Sequence, residues 1–152
     1  MRKAIHVLFA LCCFSGPFMA QSVTKKAEQS SICSLQERMG QGTHETVRVS
    51  GVISGGLDLG TLQDSACPKE VTWVELALRS DRNKDKLAKL LARVGRARVL
   101  VEGEFYGPPA PDSKLPDKIR ESYRPGWGHL AAFKTKIVVY EILKVKTASE
   151  IQ

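Results

Sequence analysis

Between Glu45 and Lys146 this sequence predicts a mainly β fold with one helix, in the order β-β-β-α-β-β. Apolar and polar residues alternate with period two in three runs, two further apolar runs read as strands, and one run keeps the helical spacing i, i+3, i+4, i+7. Glycine, proline or small polar residues separate the runs. The first strand starts at Glu45, where Val47 and Val49 alternate with Arg48 and Ser50, and continues through Val52 and Ile53 to a turn at Ser54-Gly55-Gly56. Leu57, Leu59 and Leu62 make a weaker second strand. It is closed by Gln63-Asp64-Ser65 and the Cys67-Pro68 corner, because proline has no N–H to give a ladder. Val71 to Leu78 is the third strand, with Thr72, Val74, Leu76 and Leu78 on one face and Val71, Trp73 and Glu75 on the other.

The helix follows: Leu87, Leu90, Leu91 and Val94 fall on one stripe, Ser80 or Asp81 is placed to cap its start, and Gly95 to end it. The fourth strand, Arg96 to Tyr106, alternates Ala97, Val99, Val101, Gly103 and Phe105 with Arg98, Leu100, Glu102 and Glu104, and Gly107-Pro108-Pro109 stops it. The fifth runs from roughly His129 to Lys146. Its length predicts a bend or bulge near Glu141.

Arg2 and Lys3 precede an apolar run from Ala4 to Phe14, followed by the small-residue boundary Ala20-Gln21-Ser22, which is the pattern of a secretory signal peptide over 1–22. Cleavage falls after Ala20 or Ser22, and the second fits the small-x-small rule better. The run is shorter than the roughly 20 residues a bilayer requires, so no transmembrane anchor is expected. Cys12 and Cys13 lack the preceding small residue of a lipid-attachment site. Residues 23–44 read as a flexible polar leader tied down by Cys33, and 147–152 as a tail.

An exported chain meets an oxidising compartment, periplasmic or extracellular, and there the remaining pair Cys33 and Cys67 is expected to be a disulfide. It closes a loop of about 35 residues, for which the chain-entropy model gives roughly 3 to 4 kcal/mol. Neither His44 nor His129 stands at metal-ligand spacing from a cysteine, so no metal or cofactor is expected. The formal charge of +7 includes Arg2 and Lys3, and without them the 23 basic residues become 21 against 16 acidic ones, a charge of +5. Basic residues concentrate in Arg79–Arg98 and in Lys114–Lys146. Such stretches are either solvated faces or contacts for a polyanion.

The segment order, with Thr46-Val-Arg-Val-Ser-Gly51 and Val99-Leu-Val-Glu-Gly-Glu-Phe105, resembles the five-stranded Greek-key barrel of the OB-fold over about Glu45 to Lys146. The Cys67-Pro68 step and the Gly103-to-Gly107 stretch are similar to those of small secreted bacterial proteins to which no activity is attached. The first resemblance implies a ligand face over the second and third strands, flanked by the first and fourth interstrand loops. Of these, Ser54–Gly56 offers only backbone. The other, Gly107 to Gly128, is long enough to be functional and holds Lys114, Lys118, Arg120, Tyr123, Arg124 and Trp127.

That aromatic and cationic set can stack on a ligand, or Tyr123 and Trp127 can fold back and fill the barrel mouth. Trp73 either faces the groove or covers the disulfide. Glu102 and Glu104 share a face with Arg98, which points to cross-strand charge pairing. The expected function is an exported, non-catalytic binding or structural module, with Trp73, Lys118, Arg120, Tyr123, Arg124 and Trp127 as candidate contacts. Its partner would be a protein, a glycan or another polyanion, with nucleic acid disfavoured by export. The alternative is a secreted metal-dependent nuclease-like hydrolase on the same barrel, for which Asp58, Asp64 and Glu75 are only scattered carboxylates.

Overall fold

A computed structural model describes residues 27–56, 60–111, 113–116, 118, 120 and 125–147 of the chain. The signal peptide, Leu57 to Leu59, Tyr123, Arg124 and the tail beyond Thr147 lie outside the described residues. The described chain is mainly β: six strands form one mixed sheet, joined by two α-helices. They run β1 (Gln29–Ser30), α1 (Ile32–Arg38), β2 (His44–Gly55), β3 (Gly60–Gln63), β4 (Val71–Leu76), α2 (Lys84–Val94), β5 (Arg96–Tyr106) and β6 (Lys136–Lys146).

β2 is long because its alternation is unbroken: Val47, Val49, Gly51 and Ile53 are buried and the residues between them are not. It lies antiparallel to β5 from His44 opposite Tyr106 to Ser54 opposite Arg96. Its last four residues also pair with β3, so that segment is bonded on both sides. β3 pairs antiparallel with β4, β4 parallel with β6, and β6 antiparallel with β5, so the pairings lead from β2 back to β2. Inside lie the predicted apolar residues of β5, Ala97, Val99, Val101 and Phe105, with Ile137, Val139, Ile142 and Val145 of β6.

β6 carries two bulges. Val139 stands opposite Gly103 and Glu141 opposite Glu102, which leaves Tyr140 as an extra residue; Leu143 is the second. The expected irregularity near Glu141 is therefore present on both sides of it. Gly103 is what permits the close approach, since a Cβ there would lie 2.2 Å from the Val138 carbonyl oxygen.

α2 buries Leu87, Leu90 and Leu91 but leaves Val94 51% exposed, so the buried stripe is one residue shorter than its spacing suggests. Its N-cap is Asn83 rather than Ser80 or Asp81. That side chain leaves its own helix and donates to the carbonyl of Ile142 at 2.7 Å, fastening the helix to β6. Gly95 ends it in the left-handed conformation, as expected.

Part of the segment read as a leader is structured. Ser31 caps α1 through its hydroxyl, and Ile32 and Leu35 are fully buried in the core. Asp64 accepts from the Ile32 N–H at 3.2 Å and the Ala66 N–H at 2.9 Å. The Cys33–Cys67 disulfide, with Cα atoms 5.8 Å apart, joins the same two segments. Two helical turns with two buried apolar residues are too short for their period to stand out in the sequence. Among the described residues, no helix is long and apolar enough to cross a membrane.

Candidate functional site

The last strand begins at Lys136 and not near His129, and the residues before it build the corner of interest. Gly126 and Gly128 allow a tight reversal in which Trp127 and Phe133 pair backbone to backbone, N–H to carbonyl, at 2.7 and 3.2 Å. Gly128, at φ 71°, lies against the Trp73 ring, where a Cβ would sit 2.6 Å from Cδ2. Between them His129–Ala131 makes one 3-10 turn. Leu130 and Ala131 hold φ of 56° and 54°, a left-handed conformation unfavourable for residues with a Cβ. Leu130 is 86% exposed at the tip.

The hairpin brings Trp127 onto the outward face of β5 and β6. Its indole N–H donates to the Gly107 carbonyl at 2.9 Å, and its ring meets Tyr106 edge-on at 5.8 Å between centroids. Lys136 Nζ stands 4.0 Å over the Trp127 ring and 5.0 Å over Tyr106, while a second contact, 3.2 Å to Glu75, anchors it. The His44 ring also stacks on Tyr106, at 5.3 Å between centroids.

Behind this row lies the carboxylate of Glu104. It accepts from the Tyr106 hydroxyl at 2.6 Å and from the Tyr140 hydroxyl at 2.9 Å, and His44 Nε2 is 3.2 Å away. These bonds, Tyr106's first and Tyr140's next, together with the charges of His44 and Arg79, hold the Glu104 pKa below its ordinary 4.5 against the opposing effect of burial. The same carboxylate pushes the Tyr106 phenol up to about 12 and raises that of Tyr140. The Arg79 guanidinium lies 4.3 Å over the Tyr140 ring.

The candidates read from sequence fare differently. Trp127 is central. Trp73 is buried; its ring packs on Phe133 at 5.3 Å and beneath Gly128, against the hairpin. Arg120 donates to the carbonyls of Ser113 at 2.9 Å and Leu115 at 2.7 Å, which turns it inward on its own loop. Lys118 is exposed and engaged. Tyr123 and Arg124 lie outside the described residues.

Glu102 pairs with Arg48, which stands directly opposite on β2, at 2.6 Å, the cross-strand charge pairing expected of this face. The residues that sequence reasoning missed are His44, Glu104, Tyr106, Lys136 and Tyr140. Their signal was weak: Glu104 and Tyr106 occupy the outward phase of the fourth strand, but a bulge is what turns Tyr140 toward them. Of the carboxylates weighed for a nuclease, Asp64 is committed to the N–H groups of Ile32 and Ala66, Glu75 to Lys136, and Asp58 is outside the described residues.

Beside the corner, a groove of about 500 Å³ opens. The disulfide and Pro68 line it with Gln36, Pro108, Lys134 and Thr135, and a hydrogen bond of 3.1 Å from Gln36 to Thr135 crosses its wall. No protein-family model, curated protein or solved structure matches this chain.

Proposed function

We propose that the chain is an exported, non-catalytic binding module of the cell envelope or exterior, and that its partner is a protein seated on the corner formed by Tyr106, Trp127, Leu130 and Lys136. The observation that carries this is Leu130: a large apolar side chain held out in solvent on a strained turn, at the tip of the hairpin that positions Trp127. Backbone strain and an exposed apolar anchor both cost stability in the free protein, and each is accounted for when a partner covers the turn.

The titratable groups support binding over proton chemistry. A general acid or base works best with a pKa near the operating pH, whereas Glu104 is pushed down and Tyr106 and Tyr140 are pushed up, all away from neutrality. The disulfide fits an oxidising compartment. The circuit of strand pairings and the helix between β4 and β5 support an OB-like five-stranded barrel as the scaffold. In that scaffold the corner lies where the loop between the last two strands returns to the sheet.

Leu130→Gly tests the proposal, because it removes the anchor and relieves the backbone at once. Immobilised mature protein should retain a partner from envelope extract that the variant releases, while the variant melts at or above the wild-type temperature. Equal retention by both proteins would place the contact elsewhere. Cleavage of DNA or RNA by the purified protein, abolished by EDTA, would replace binding with the hydrolase alternative.

A further inference from the structure

We propose a second site, independent of the corner, at the junction of α2 and β6: a pocket for a phosphate-bearing group with two or more negative charges. Lys86, Lys89 and Arg93 follow one another at i, i+3 and i+7, so they form one stripe along α2. Lys146 of β6 faces that stripe across a cavity of about 340 Å³ whose floor is Leu90. Four cations and Thr147 line the rest, and among the described residues no acidic side chain does. The helix also carries Asp85, and Asp81 precedes it, but Asp81 holds Lys84 at 3.3 Å. Among the described residues, none of the four lining cations has an ion-pair partner.

The neighbouring ladder adds to the positive potential. Arg98 stands directly opposite Lys146 in the β5–β6 register, and like charges so placed repel. Its Nε is buried without a hydrogen-bond partner. Folding thus brings five cations from three elements together, and a bound anion offsets their repulsion. One carboxylate would leave most of them unpaired, while a pyrophosphate or phosphomonoester presents several oxygens and two or more charges. Arg93 contributes a planar fork suited to two such oxygens, and the lysines contribute point charges. A soluble phosphorylated compound and the headgroup of a phosphomonoester lipid share this chemistry.

Calorimetric titration with sodium pyrophosphate near physiological ionic strength tests the site. Wild-type protein is compared with Lys89→Ala/Arg93→Ala and with Lys69→Ala/Lys134→Ala, a control of equal net charge altered elsewhere. The site predicts affinity weakened at least about tenfold in the first variant and unchanged in the control. Pyrophosphate should raise the melting temperature of wild type and control but not of the first variant.

Flotation with vesicles of phosphatidylcholine, with and without phosphatidic acid, separates the two sources. Capture by phosphatidic acid that pyrophosphate displaces assigns the site to a lipid headgroup, and pyrophosphate binding without capture assigns it to a soluble ligand. Equal weakening in both double variants would reduce the effect to overall charge and overturn the site. Absence of binding in both arms would overturn it as well.

Discussion

Two tyrosine hydroxyls and an imidazole converge on the Glu104 carboxylate, and that convergence sets how the corner responds to pH. A carboxylate whose folded-state pKa lies below its unfolded value adds stability above the unfolded value and loses it as pH falls through the folded one. For Glu104 that loss occurs below pH 4.5. Tyr106 has the opposite sign: raised to about 12, it contributes fully below its ordinary 10.0, and the contribution disappears as pH rises toward 12. Glu104→Gln should cost about 1–3 kcal/mol in urea unfolding, since two charge-assisted bonds are weakened. In an ultraviolet titration of the variant, the highest phenol pKa should move back toward 10.0; an unchanged titration would show that Glu104 is not its cause. Leu130→Gly should be neutral or more stable by about 1 kcal/mol, because a glycine accepts positive φ without a Cβ penalty. The sequence marked Trp127 through its aromatic and basic neighbourhood. It did not mark Glu104 or Tyr140 as partners, because the two lie 36 residues apart and their meeting depends on a bulge that shifts the register between their strands.

At the scale of elements, the strands whose alternation was strict appear where the pattern put them: Arg96–Tyr106 is β5 residue for residue, and β2 begins one residue before Glu45. The misreadings lie where apolar content and period part company. The segment before Lys136 holds Leu130 and Phe133 and reads as strand, yet two glycines reverse it into a hairpin. α1 was taken for leader because its polar residues outnumber its two buried ones. Gly103 has a definite mechanical role here. Gly103→Ala should cost about 1–3 kcal/mol by chemical denaturation, because the added Cβ meets backbone that cannot swing aside. It should also disturb Tyr140, visible as a lowered phenol pKa, since the bulge and the close approach share the same rung. A variant as stable as wild type would mean that the two strands separate there at little cost.

Over the whole molecule, one covalent link joins the N-terminal segment to the β3–β4 connection, and the same segment inserts Ile32 and Leu35 into the core. Replacing both cysteines, Cys33→Ser with Cys67→Ser, should lower stability by roughly 3 to 4 kcal/mol and expose α1 to protease before the strands. Simultaneous loss of all protection would instead show that α1 and the sheet unfold as one unit. The pairing of these cysteines was legible from their number and the compartment. The division of the surface was not: its cations are spread along the sequence, and only folding gathers some beside aromatics at the corner and others into the α2–β6 pocket. The most direct measurement is photo-crosslinking in the producing cell, with a photo-reactive phenylalanine replacing Leu130 in one strain and Val94, the other large exposed apolar side chain among the described residues, in a second. A binding face at the corner predicts a discrete crosslinked protein from position 130 and none of that mass from position 94. No crosslink at 130 in an exported, folded protein, or the same product from both positions, would contradict it.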